Sequence, residues 1–421
     1  MYSKPLLTKR NPLQLTMKAE EYHKRRKLVV LILVGILYSG SVAYFFQSLP
    51  TAKLTSDFFP RWHASRMLLT AERSVYDWVN ATEVSAVTGW PHLEQLGYYY
   101  PAYLLIFTAP LSILPYGIAH ILWTMFGLWC LWLGMVILAR LLLPDLLLNR
   151  LTVLLIFVTA SVPVFQHALY AQFNSLGVLA LALTYHALYR QKNFRAGLWA
   201  GGLLFKPQAM LIPLLVILLW TAFERKRRSF WAGLGLISIM FWGVAELLEP
   251  NWVISFWQTL GSYVPVTSIV DKIWNPYQIV SLTLLGLTLW LTYRLRDVSA
   301  GAIPFVGLLA WTINLNALII PLFGMMHMVS MGLVFVMLLG GFATRYPAVS
   351  EWVWFGIIGL LVAGLMTFII PLIMVGPTGL QITVTEWVYR FTMPILLGLA
   401  SLPLMANMSA WYSLSQKQVV T

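Results

Sequence analysis

Charge is what this chain of 421 residues has least of: only 10% of it is Asp, Glu, Lys or Arg, where a soluble domain carries about 25%. With 59% hydrophobic residues and a mean hydropathy of +0.75, a water-soluble globular fold is excluded. Cysteine occurs once, as Cys130 inside an apolar run. That rules out an intrachain disulfide and leaves the redox compartment unmarked. A phosphate-cradling glycine loop, an HExxH pair and a cysteine cluster are all missing, so the sequence names no metal site. No DxD-type acid pair stands out that would hold a metal with a nucleotide-sugar. The short alternating segments of a β-barrel are absent, and so are internal repeats, inverted pseudo-symmetry and low-complexity stretches. Acids are scarce as well, 15 against 28 Lys and Arg, for a net charge of +13. The excess does not point to nucleic acid. The basic residues cluster at the ends of apolar runs, with no soluble basic domain to hold a nucleic acid.

What the chain does have is apolar runs, many of them long enough to cross a bilayer. They predict spans at 28–47, 117–140, 151–166, 174–190, 196–206, 208–223, 230–248, 278–294, 301–321, 325–343, 352–371 and 391–408. The expected fold class is therefore an all-α polytopic membrane protein of about 12 helices. Residues 1–27 read as a basic cytoplasmic tail, 28–408 as one integral-membrane domain and 409–421 as a second cytoplasmic tail. The first run has no small-residue cleavage signature after it and is expected to be a retained helix.

The basic clusters set the topology. Tyr103–Leu114 is bracketed by Pro101 and Pro115 and is too short for an ordinary span. Read as a half-buried helix on the outer face, it leaves both termini cytoplasmic and most Lys and Arg inside. The outer face then receives a long first loop, about 48–116, with juxtamembrane helices, and several irregular turns rich in polar and aromatic residues. A site on that side of the cell membrane is expected.

Five features could build it. Asp57 follows the first span in LTSDFFPRWHASRMLL, with Arg61 a turn later. Either Ser56 or Asp57 caps the helix that starts there, or Asp57 is a general base whose basicity is tuned by burial and by Arg61. LGYYYPAYLLIFTAPLSILP contains Tyr100; it reads as an interfacial aromatic belt, or as a platform for a sugar ring or a groove for a lipid tail. HALYAQFNSLG gathers His167, Gln172 and Asn174, polar groups that are costly near membrane depth unless partnered, although Asn174 also suits a helix cap. In GGLLFKPQAMLIP, Pro207 breaks a helix beside Lys206, and the freed backbone needs a cavity or a protein neighbour. Lys206 snorkels outward or meets an anionic lipid phosphate in a pocket. His327, in GMMHMVS, is a structural histidine, a phosphate donor or a proton carrier.

These pieces together resemble glycosyltransferase family 87, a group of multi-spanning, polyprenyl-phosphate-sugar-dependent transferases of the GT-C superfamily. The resemblance rests on DFFPRWHASRML, VYDW at 75–78, YYYPAYLLIFTAPLSILPYGIAHILW at 98–123, AQFNSLGVLALAL at 171–183 and AGLWAGGLLFKPQAMLIPLLV. It implies a GT-C-type bundle with Asp57 as the base that deprotonates an acceptor hydroxyl, Lys206 near the donor phosphate and His327 lining the cavity. It assigns no role to Arg61 or His167. Family members commonly carry Gly before the Gln of the fourth-span turn, where this chain has Ala171. The implied reaction is inverting transfer of a hexose, with mannose leading, from a polyprenyl-phosphate donor to a glycolipid or glycan acceptor, with neither metal nor other cofactor. A transporter or flippase for a lipid-linked sugar is the competing reading, and a non-catalytic membrane scaffold is another.

Overall fold

A computed structural model describes residues 32–45, 47–48, 56–89, 96–144, 148–263, 276–320, 325–375, 388 and 392–406. Among them there is no strand. The helices are α1 (Ile32–Phe45), α2 (Phe58–Ala71), α3 (Trp78–Thr88), α4 (Leu105–Ser112), α5 (Tyr116–Leu142), α6 (Leu148–Thr159), α7 (Val162–Leu169), α8 (Asn174–Tyr189), α9 (Asn193–Ala200), α10 (Pro207–Ala222), α11 (Arg228–Leu248), α12 (Trp252–Tyr263), α13 (Pro276–Arg294), α14 (Ile303–Ile319), α15 (Met331–Arg345), α16 (Pro347–Val375) and α17 (Met393–Met405).

Every apolar run predicted to span carries helix, because a backbone in an apolar surrounding must satisfy its polar groups within the segment. Length is a stricter test. Four described helical stretches are long and apolar enough to cross a membrane: Tyr116–Leu142, Arg225–Leu248, Met328–Arg345 and Pro347–Met366. A fifth arises if α6 and α7 count as one span bent by 57°. Two expected spans differ in form. The run at 151–166 is this bent pair, broken where Ser161 and Pro163 interrupt the ladder. The run at 196–206 is the eight-residue α9 followed by a 3-10 turn, Gly201–Phe205, because Pro207 drives the residue before it out of helical geometry. The segment assigned to the first loop carries α2, α3, a 3-10 turn at Ala102–Leu104 and α4.

Of three apolar clusters among the described residues, two bear on the site. The larger joins α5, α8, α10, α14 and α15 through residues such as Leu131, Val178, Leu214, Phe305 and Val334. The second is aromatic, and gathers α2, the 96–105 segment and the N-terminal half of α5 around Phe58, Tyr98, Tyr100, Trp123 and Phe173. Short α9 is clamped to α11. A Cβ on Gly197 would collide with the Phe230 carbonyl, and one on Gly233 with the Phe194 carbonyl. Glycine on both sides lets the two backbones touch, the close approach that small residues permit between membrane helices.

Candidate functional site

The site forms where two interrupted helices meet the start of α2. At the first interruption, α7 ends at Leu169 and α8 begins at Asn174. The turn between them places Ala171 at φ +47°, a conformation costly for a residue with a Cβ. Trp123 of α5 holds this turn by donating its indole N–H to the Ala171 carbonyl at 3.0 Å. The same indole stacks on Phe58 with centroids 5.6 Å apart, and the backbone N–H of Asp57 donates to the Tyr170 carbonyl at 2.9 Å. The start of α2 is thus bound to the turn through both backbone and rings.

That registration puts the Gln172 amide against Asp57. The Nε2 of Gln172 donates to Oδ2 of Asp57, while its Oε1 accepts from Nζ of Lys206. One amide therefore joins a carboxylate to an ammonium. Asp57 does not cap α2: its side chain makes no capping bond, and Ser56 accepts from the Phe58 N–H instead, at 3.1 Å. The carboxylate is half-buried and its second oxygen is not used by Gln172.

Lys206 arrives from the second interruption. It sits between the 3-10 turn and α10 at φ −141°, ψ 77°, extended as a residue before proline must be. It is buried, 6% exposed, so it does not snorkel to the surface. The interruption continues into α10, where Met210 is non-helical (φ −137°) and Pro213 has no N–H and crowds the carbonyl four residues back. The ladder opens at Gln208 and Ile212. Asn316 of α14 closes it: its Oδ1 accepts from the Ile212 N–H at 2.9 Å, and its Nδ2 donates to the Gln208 carbonyl at 3.0 Å. A side-chain amide replaces one turn of backbone bonding, as a buried helix break requires.

Arg61 and Tyr100 complete the cluster. The Arg61 guanidinium lies 4.9 Å from the centre of the Tyr100 ring, and Lys206 Nζ lies 5.7 Å from it. The ring also packs on Phe173 at 4.9 Å. Tyr100 is buried, so it is neither an interfacial belt residue nor an exposed platform; its face is turned to two protein cations. Arg61 is 6% exposed, and its Nε has no hydrogen-bond partner. Two cations and one carboxylate give the cluster an excess of positive charge in a buried place, which an anion would relieve. Around it, burial pushes the phenols of Tyr76 and Tyr98 up, keeping both protonated. Tyr76 donates to the Tyr100 carbonyl at 2.8 Å, which fixes the ring below the cations.

The remaining expected residues are placed as follows. His167 is buried in the last turn of α7, with Nδ1 lacking a partner. Gly127 of α5 leaves room for it, since a Cβ there would stand 3.2 Å from its Nε2. Asn174 is fully buried and does not cap α8 with its side chain. His327 lies in the 3-10 turn Met325–Ser330, but its side chain falls outside the described residues. Asp57, Gln172, Lys206, Arg61 and Tyr100 are therefore brought together. Among the described residues no group of three or more His, Cys, Asp or Glu is arranged to hold a metal ion.

Two contributors were not anticipated. Asn316 is one of two asparagines in TINLNALI, inside an otherwise apolar helix; that placement was the available signal. Glu249, buried at the end of α11, accepts from the Val75 N–H at 3.0 Å and pins the loop after α2. Nothing local in the sequence marks that contact across 174 positions.

No curated protein and no solved structure matches the chain. The sequence profile of glycosyltransferase family 87 matches residues 98–313, a stretch that contains Tyr100, His167, Gln172, Asn174 and Lys206, with Asp57 and Arg61 before it. That match covers more than half of the 421 residues, and the chain belongs to glycosyltransferase family 87.

Proposed function

We propose that this glycosyltransferase moves a hexose, mannose by preference, from a polyprenyl-phosphate donor to an acceptor hydroxyl, with inversion, at the extracytoplasmic face of the cell membrane. The observation that carries the reading is the joined Asp57–Gln172–Lys206 chain with Arg61 beside it. A carboxylate held by an amide is ready to accept a proton. Two buried cations a short distance away favour a substrate that carries negative charge.

In this reading the donor phosphate lies against Lys206 and Arg61, and its tail runs between apolar helices. Asp57 takes the proton of the acceptor hydroxyl through the oxygen that Gln172 leaves unused. The acceptor oxygen attacks the anomeric carbon from the face opposite the phosphate. The carbon–oxygen bond to phosphate breaks, and its electron pair remains on the departing polyprenyl phosphate. Fixed cations aimed at that growing charge contribute most of the electrostatic stabilisation. Gln172 sets the distance between base and cation, and holds the carboxylate in one orientation. Lipid phosphate leaves without a metal in this scheme, so EDTA is expected to leave transfer unchanged. The topology that goes with it has about 12 spans, both termini cytoplasmic and an outer loop at 48–116. The acceptor is a glycolipid or glycan.

The test is transfer of radiolabelled mannose from polyprenyl-phosphate mannose into extracted membrane lipids, with wild type and Asp57→Asn purified side by side. Removal of a general base is expected to lower the rate by about 10²–10⁴, with the melting temperature retained. Equal transfer by both proteins would remove Asp57 as the base. Transfer by neither, under every lipid-linked sugar tried, would favour the flippase, which the same purified protein in vesicles would then reveal.

A further inference from the structure

Helices α5 and α8 pack tightly, and Gly134 is a point of close approach: a Cβ there would touch the Val178 side chain and carbonyl at 3.4 Å. Toward their C-terminal ends a groove of about 300 Å³ lies between them. Its apolar floor includes Val136, Ile137 and Leu183, and Arg140, His186 and Arg190 line it as well. Both arginines are exposed. Among the described residues neither is in an ion pair, and no carboxylate lines the groove.

Basic residues at helix C-termini have an ordinary role, since they complement the partial negative charge there. Each helix end carries only about half a unit of charge, however, so two guanidiniums leave an excess. Charge alone also needs no apolar floor. The combination has a simple chemical complement: a phosphate with hydrocarbon attached. Guanidinium forks match phosphate oxygens, and basic pockets between membrane helices suit anionic headgroups.

We propose that this groove binds an anionic glycerophospholipid, its phosphate between Arg140 and Arg190 and an acyl chain along Val136, Ile137 and Leu183. The occupant is a lipid, because a free phosphate would leave the apolar floor uncovered. The site is separate from the Asp57 cluster. Asn174 and Arg190 bracket α8, so at 1.5 Å per residue the two ends are about 24 Å apart. The lipid is no substrate in this position. It braces the helix whose opposite end follows Gln172.

The experiment uses the full chain, purified and stripped of lipid in a neutral detergent. Dioleoylphosphatidylglycerol, dioleoylphosphatidylcholine or inorganic phosphate is then added, with native mass spectrometry and melting temperature as readouts. Wild type is expected to retain phosphatidylglycerol at least about tenfold more than phosphatidylcholine, a difference of about 1.4 kcal/mol in binding, and to melt higher with it. The double variant Arg140→Gln, Arg190→Gln should fall to the phosphatidylcholine level. Arg225→Gln, Lys226→Gln removes the same charge from another exposed site and should retain the lipid as wild type does. Equal loss in both double variants would reduce the effect to surface charge and overturn the proposal. So would undiminished retention by the first, or an equal melting shift with inorganic phosphate. Ile137→Trp keeps both arginines while filling the floor. It should also lose phosphatidylglycerol, and unchanged retention there would overturn the acyl-chain assignment even if the arginine variant failed to fold.

Discussion

Two helices are interrupted near the cluster, and they are mended differently. At 170–173 the break carries a positive φ at Ala171 and is held by an indole from α5. At 206–212 the break is closed by the Asn316 amide, which stands in for a missing backbone pair. The first has backbone strain held in place by its neighbours; the second has relaxed backbone that depends on one side chain. Each delivers one polar group, Gln172 or Lys206, and the two groups bond to each other. A polar cluster among apolar helices is thus assembled from the ends of helices, where backbone geometry is free to change, and not from their middles.

The comparison can be broken hardest at the amide between the two breaks. Gln172→Leu should lower transfer by about 10²–10³, the usual effect of removing a preorganised donor, because Asp57 and Lys206 lose their common partner. A rate within threefold of wild type would mean that the two breaks work independently. Next comes Asn316→Leu, which leaves a buried N–H and a buried C=O unpaired at about 1–3 kcal/mol each. Thermal unfolding in detergent should show a loss of about 2–6 kcal/mol, and activity should fall with it because Lys206 sits at the head of this break. An unchanged melting temperature would show that α10 repairs itself without α14.

The strained break predicts a gain. Ala171→Gly should stabilise by about 1 kcal/mol, since glycine adopts positive φ without the Cβ conflict. The same change at Ala209 in α10, which the structure places in a helix, should destabilise by about 1 kcal/mol. If both changes destabilise, Ala171 contributes more through packing than it loses through strain. The smallest effect is expected outside both breaks. Glu83 of α3 pairs with Arg73 at 2.8 Å and with His63 at 2.8 Å, and these hydrogen bonds, Arg73 first, hold its carboxyl below the ordinary glutamate value. A depressed carboxyl stabilises the fold above its unfolded pKa, about 4.3, and that support fades as pH falls through the lowered value. Protection factors of the amides in 78–88 should therefore fall below about pH 4, ahead of those at the two breaks, with only a small change in global stability because the pair is partly exposed.

Much of this was legible in the sequence, for identifiable reasons. The apolar runs announced their helices because membrane-type segments repeat one composition over many residues. Pro207 announced its break because proline has the same consequence wherever it stands. Asp57, Gln172 and Lys206 stood out because polar residues are rare in such a chain. What stayed hidden is what depends on partners far along the chain. Capping by Asp57 was a reasonable local expectation, and it fails because Gln172 claims the carboxylate from 115 positions away. Tyr100 had the look of an interfacial residue until Arg61 and Lys206 were seen over its ring. Asn316 had no visible purpose until the open turn in α10 lay beside it. The run at 151–166 looked like a straight span because Pro163 is compatible with a helix start as well as with a kink.

The paired glycines at 197 and 233 set a tolerance on the cluster. Lys206 hangs from the end of a strut only eight residues long plus one 3-10 turn, and the strut's position is defined by direct backbone contact with the 21 residues of α11. At those two glycines no side chain lies between the backbones. A methyl group on either glycine acts as a shim about 1.5 Å thick, and the displacement is carried along the strut to the ammonium it presents. That is half the length of a hydrogen bond, enough to part Lys206 from Gln172. The fit of a charged site is therefore gauged at a contact that contains no charge and lies a whole helix away from the ammonium along the chain.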